Sequence, residues 1–140
     1  MDFSEIIVKI SLLVDAGLVV LIWMVQLIVY PSFTYFNKEN LIAWHQKYTT
    51  EIAIIVVPLM LTQLILGIIT VYIDANLVTI TTLLIVLFLW VFTFLGFAPL
   101  HFKISEGKSN QKLLLLLIQR NWTRTFLWSG LFLLHIWMYF

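Results

Sequence analysis

The residues best equipped for chemistry in this sequence are His45, Tyr48, His101, Asn121 and Arg124. An imidazole can ligate a metal, carry a proton, or donate and accept hydrogen bonds. A guanidinium presents a planar fork that suits a carboxylate, a phosphate or a tyrosine and carbonyl pair. Amide and phenol groups hold polar atoms in place. A second set, Asp15, Gln26, Gln63 and His135, lies in more apolar surroundings and has buried polar or proton-linked capacity. Asp15 is expected to be protonated or paired with Gln63, and one acid alone is not a proton relay. Other chemistries are excluded. There is no cysteine, hence no disulfide, thiolate nucleophile or Cys-ligated metal centre. No Gly-x-Ser-x-Gly string supports a serine hydrolase. Glu51 falls off the face that carries His45, so the two histidines lack a third ligand and no metal is expected.

These residues need elements to position them, and composition says which. The 140 residues make one domain, 62% hydrophobic and 11% charged, with a mean hydropathy of +1.04. Soluble domains carry about a quarter charged residues, and a small domain has too much surface to hide so many apolar side chains. The expected solvent is lipid. Four apolar segments, roughly 4–30, 40–73, 77–100 and 112–140, are each long enough to cross a hydrocarbon core of about 30 Å as a helix. The expected fold is therefore an all-α, integral membrane, antiparallel four-helix bundle with four transmembrane helices. Pro31 is expected to stop the first helix, Ile73-Asp74-Ala75-Asn76 to turn the chain, Pro58 to kink the second helix, and Pro99 to mark the last turn of the third. Gly107 and its polar neighbours separate the third helix from the fourth.

Helical phase, at about 100° per residue, puts the polar residues on one face of each helix. Asp15, Val19, Ile22 and Gln26 share a stripe. So do His45, Ile52, Val56 and Gln63, with Tyr48 beside them. Trp90, Phe94, Phe97 and His101 form a third, and Asn121, Arg124, Thr125, Trp128, Phe132 and His135 a fourth. Polar residues within lipid face the bundle interior. His45, Tyr48, His101, Asn121, Arg124 and Gln26 fall at one depth and are expected to meet in one polar cluster. Arg120 points elsewhere and reads as a side chain snorkelling to lipid phosphates.

Lys38, Lys47, Lys103, Lys108, Lys112, Arg120 and Arg124 fall on the side of the two polar connections, and only Lys9 falls toward the other. The positive-inside rule then puts both connections in the cytoplasm and both termini outside, in a bacterial inner membrane. The acidic N-terminus, without a small-x-small cleavage site, reads as a retained helix and not a signal peptide. A net charge of +1 gives no attraction to nucleic acid.

The strings "QLIVYPSF", "WHQKYT", "PLH" at 99–101 and "NWTRTFLW" at 121–128 resemble those of a family of uncharacterised small bacterial four-helix membrane proteins. That resemblance implies the fold but no activity. The stretch "IAIIVVPLMLTQLILGIITVYI" is similar to a helix of the oxygen-independent protoporphyrinogen oxidases, membrane haem proteins, with Pro58 and Gly67 in the matching places. The first helix here has no counterpart of their haem-ligating histidine. The anthrone-oxygenase-like membrane proteins share the four-helix pattern. Two functions follow as expectations. One is a binder of a ligand or cofactor such as haem or a quinone, with His45 and His101 as axial or polar contacts and Tyr48, Asn121 and Arg124 holding its polar groups. The other is an accessory subunit in a larger membrane assembly or homo-oligomer.

Overall fold

The computed structural model describes residues 2–140, and every regular element among them is helical. Four long helices follow one another: α1 (Phe3–Tyr35), α2 (Lys38–Ile73), α3 (Leu77–Ser105) and α4 (Gln111–Tyr139). α1 packs against α2 and α4, α2 against α3, and α3 touches α4. Short connections make neighbours antiparallel. Asparagine caps fix three of the starts: the side chains of Asn37, Asn76 and Asn110 accept backbone N–H groups of the first turns of α2, α3 and α4. Asn76 and Thr79 bond reciprocally, and the turn expected at 73–76 is present at 74–76, with Ile73 still in the helix.

α1, α2 and α3 are long and apolar enough to cross a membrane. α4 matches them in length at 29 residues. It lacks their apolarity because Asn121, Arg124, Thr125, Ser129 and His135 line it, most of them turned inward. Of the four helices expected to be transmembrane, three therefore have the length and apolarity to span, and the fourth has a polar face.

The prolines do not end helices where the sequence suggests. α1 continues past Pro31 to Tyr35, and α3 continues past Pro99 to Ser105. The cause is the same in both. A π-helical turn, Val25–Val29 in α1 and Thr93–Phe97 in α3, stands immediately before the residue that precedes each proline. The Tyr30 N–H bonds the Val25 carbonyl and the Ala98 N–H bonds the Thr93 carbonyl, each five residues back. The wider turn makes room for a ring that would otherwise strike the preceding turn. α2 runs through Pro58 as a single helix.

The inward face of α3 also differs from the expected one. Phe94, expected on the inward face, is 57% exposed, and Trp90 is half-buried. The buried line is instead Thr82, Val86, Leu89, Phe97, Leu100 and Ile104. One apolar cluster, around Leu18, Ile22, Leu89, Trp128 and Leu131, fills the half nearer the termini. A second, around Tyr30, Phe33, Phe97, Ile104 and Leu117, fills the half nearer the polar connections.

α3 ends in a Schellman motif. The Gly107 N–H bonds the Ile104 carbonyl at 3.0 Å, and the Lys108 N–H bonds the Lys103 carbonyl at 2.9 Å. Gly107 has φ +72°, and a Cβ there would lie 2.9 Å from Ile42 Cδ1. Gly107→Ala should therefore lower stability by about 1–2 kcal/mol, the cost of a left-handed non-glycine residue. Unfolding of the detergent-purified variant at the wild-type midpoint would contradict that reading of the turn.

Candidate functional site

The polar residues form three groups stacked along the bundle. The group nearest the termini joins α1, α2 and α4. Asp15, 1% exposed, accepts a hydrogen bond from Gln63 Nε2 at 2.7 Å through Oδ1, while its Oδ2 pairs with His135 Nδ1. Trp128 Nε1 donates to Gln63 Oε1 at 3.1 Å. The pairing of Asp15 with Gln63 expected from phase is present, and His135 completes it. Trp128 is thus a core residue with a polar handle.

The middle group clamps α1 to α4. Gln26 Oε1 accepts from Asn121 Nδ2 at 2.9 Å and from Thr125 Oγ1 at 3.4 Å, and Gln26 Nε2 donates to the Ile118 carbonyl. Asn121 therefore does not join the histidines as expected. It faces Gln26, because α4 lies against α1 at this level while both histidines sit on the α2–α3 side. Arg120 does not reach for lipid phosphates either. Its Nη1 donates to the Gly96 carbonyl at 3.0 Å, inside the π turn of α3. Backbone groups loosened by an irregular turn need such an external partner in an apolar setting.

The third group stands beside an open cleft. His45 and His101 stack with ring centroids 5.0 Å apart, and His45 Nε2 lies 2.7 Å from His101 Nδ1. His45 Nδ1 meets Ser105 Oγ at 3.0 Å, and His101 Nε2 meets the Tyr30 hydroxyl at 3.1 Å. The four side chains make one line: Ser105, His45, His101, Tyr30. With one N–H on each ring, all links must point the same way, from Tyr30 to Ser105 or the reverse. The line is therefore cooperative, and every member orients the next.

The two histidines from distant sequence positions do meet, and Tyr48 and Arg124 lie with them. All four imidazole nitrogens are already engaged, however. Neither ring offers a free nitrogen, so the pair does not fit axial ligation of a haem iron. Nor do three His, Asp or Glu side chains gather in metal-binding geometry anywhere among the described residues.

Beside this line opens a cleft of about 370 Å³. Its walls come from α2, with Tyr48, Ile52 and Val56, and from α3, with Phe97 and His101. Leu21, Val25 and Tyr30 of α1 and Arg124 of α4 close its back, while the exposed Phe94, Ala98 and Phe102 mark its open side. Arg124 is only 6% exposed, and its Nε has no hydrogen-bond partner. Its guanidinium carbon stands 4.4 Å from the centroid of Phe97 and 5.2 Å from that of Trp128. Tyr30, Tyr48 and His101 line the same cleft. No carboxylate pairs with Arg124 among the described residues.

Sequence reasoning missed Ser105, because Pro99 was expected to close α3 and leave Ser105 in a loop. Pro31 and Pro99 stand at the same place after an apolar run, and that shared spacing was the signal available. The chain matches no protein-family model, no curated protein and no solved structure.

Proposed function

We propose that this chain is an integral membrane protein, a four-helix bundle whose helices all span the bilayer, and that it binds a lipid-soluble molecule with an oxygen-bearing polar head in the cleft between α2 and α3. The observation that carries the reading is Arg124. A cation removed from water without a counter-charge is among the most unfavourable arrangements a protein can hold. Stacking on Phe97 and Trp128 offsets part of that, about 2 kcal/mol for a desolvated contact. An acceptor brought by a ligand offsets much more. Tyr30, Tyr48 and His101, with Thr49, Thr93 and Ser105, supply hydroxyl and imidazole groups around the same space, and apart from Arg124 the remaining wall residues are apolar. A volume of about 370 Å³ lies within the range of small-molecule pockets.

The test is native mass spectrometry of protein released gently from its own membrane. The wild type should carry a bound species of defined mass. Arg124→Gln should lose it, and Arg124→Lys should retain less of it, because lysine lacks the planar fork. Lys108→Ala, at an exposed ion pair with Glu106, should retain all of it. Equal retention in Arg124→Gln and wild type would sink the reading.

For orientation, the seven basic residues on the side of the polar connections support cytoplasmic loops and external termini in a bacterial inner membrane. The chain has no native cysteine, so Ser109→Cys and Phe140→Cys can each be labelled cleanly. In intact cells an impermeant maleimide should label Phe140→Cys and spare Ser109→Cys. The opposite pattern would invert the topology.

A further inference from the structure

We infer that the ligand is a single-chain lipid carboxylate, of the fatty-acid class, whose head sits by Arg124 and whose tail lies in a separate apolar groove between α1 and α2. The inference rests on the ligand-binding reading above and names the ligand's chemistry. A second space of about 550 Å³ is lined by Ala16, Gly17, Val20, Met24, Ile55 and Leu59, among others. Leu21, Val25 and Ile52 belong to the walls of both spaces, so the two adjoin across these side chains. One is polar at its inner end, and the other is apolar throughout. Together they describe an amphiphile with one head and one tail.

Charge selects the head. Of all the residues lining the first cleft, Arg124 alone is charged. A carboxylate carries one negative charge, which one arginine neutralises. A phosphate monoester carries about −1.5 to −2, which would leave excess charge buried in an apolar setting. A neutral carbonyl would leave the guanidinium uncompensated. Two-chain phospholipids carry a second tail, for which this pair of spaces has no second groove.

Position agrees with this. The groove runs along α1 from Val29 to Ala16, about 20 Å at about 1.5 Å per residue. It leads from the level of the polar connections toward the middle of the bundle. A lipid anion in the leaflet on that side has the same arrangement, head toward the loops and tail toward the bilayer centre. The tail has a physical reason to stay: each methylene removed from water contributes about 0.8 kcal/mol, but one moved from lipid to groove gains little. Recognition must therefore come from the head, and the groove's role is to accept a chain of adequate length.

The experiment uses protein in nanodiscs of phosphatidylcholine with palmitate, methyl palmitate, hexadecyl phosphate and octanoate as probes. Palmitate should bind, and methyl palmitate should bind about ten- to hundredfold more weakly, the value of hydrogen bonds to a charged group. Arg124→Gln should remove that difference. Val20→Trp, at a site 61% exposed on the groove, should weaken palmitate more than octanoate. Equal binding of palmitate and its ester by the wild type overturns the carboxylate assignment. Tighter binding of hexadecyl phosphate than of palmitate overturns it in favour of a phosphate head. Unchanged palmitate binding in Val20→Trp overturns the tail placement. Failure of this inference is distinguishable from failure of the broader reading. A native adduct that depends on Arg124 while palmitate does not bind leaves the cleft as a site for a different head. Absence of any Arg124-dependent species removes both.

Discussion

Asp15→Ala should be the most destabilising single substitution in this protein, lowering stability by about 3–5 kcal/mol, the cost of breaking a buried charge-bearing pair by removing one partner. The carboxylate holds two donors at once, Gln63 Nε2 on α2 and His135 Nδ1 on α4. Its loss leaves both without an acceptor in a region packed with Leu18, Ile22 and Trp128. Orphaned donors of this kind cost about 1–3 kcal/mol each. Gln63 is itself the acceptor for Trp128, so the disturbance extends along α4. Asp15→Asn should be milder, since its carboxamide oxygen can still accept one of the two bonds. A double variant, Asp15→Ala with His135→Phe, should be less destabilised than the sum of its singles by at least about 0.5 kcal/mol, because the two side chains are in contact. Unfolding of each variant by titration of denaturing detergent measures this. Additive effects would mean that Asp15 and His135 are neighbours without being partners.

His101→Phe should have an effect of comparable size. Phenylalanine keeps the ring and its contacts with Tyr30 and His45 but supplies no nitrogen. His45 Nε2 and the Tyr30 hydroxyl then lose their partners together. At about 1–3 kcal/mol for each buried group left unsatisfied, the loss is about 2–6 kcal/mol. Tyr30 also lines the cleft, so the variant should retain less of the bound species as well as unfolding earlier. Ser105→Ala removes only the terminal link, to His45 Nδ1, and should cost about 1 kcal/mol. If Ser105→Ala were as damaging as His101→Phe, the line of four would not be organised around His101.

Much of this arrangement was legible in the sequence, for a simple reason. Where a helix keeps its regular phase, burial in an apolar chain forces polar residues to one side. Asp15 and Gln26 on α1, His45 and Gln63 on α2, and Asn121, Arg124, Thr125 and Trp128 on α4 are all buried as phase requires. Phase failed on α3. Its buried line runs through Thr82, Val86, Leu89, Leu100 and Ile104 and leaves Phe94 outward, and the helix continues past Pro99 five residues beyond the expected end, which brings Ser105 to His45. Shared depth was also a weaker guide than shared side. Asn121 and Arg124 are neighbours on α4, yet one bonds Gln26 and the other faces the cleft. Arg120 was read from its own helix alone, and its partner, the Gly96 carbonyl, exists only because α3 bulges toward it. No pattern of side chains announces a backbone acceptor.

The central claim is that a specific molecule occupies the cleft between α2 and α3, and photocrosslinking tests it most directly. Phe102 lies on the cleft wall and is 65% exposed, while Phe126 on α4 is 63% exposed and does not line the cleft. A benzoylphenylalanine at either position is a modest enlargement of an aromatic residue already facing outward. Irradiated in native membranes and analysed by mass, Phe102→benzoylphenylalanine should yield one dominant adduct, and that adduct should vanish when Arg124→Gln is added. Phe126→benzoylphenylalanine should yield the mixed lipids of the surrounding bilayer. The same mixture at both positions, unchanged by Arg124→Gln, would contradict the account.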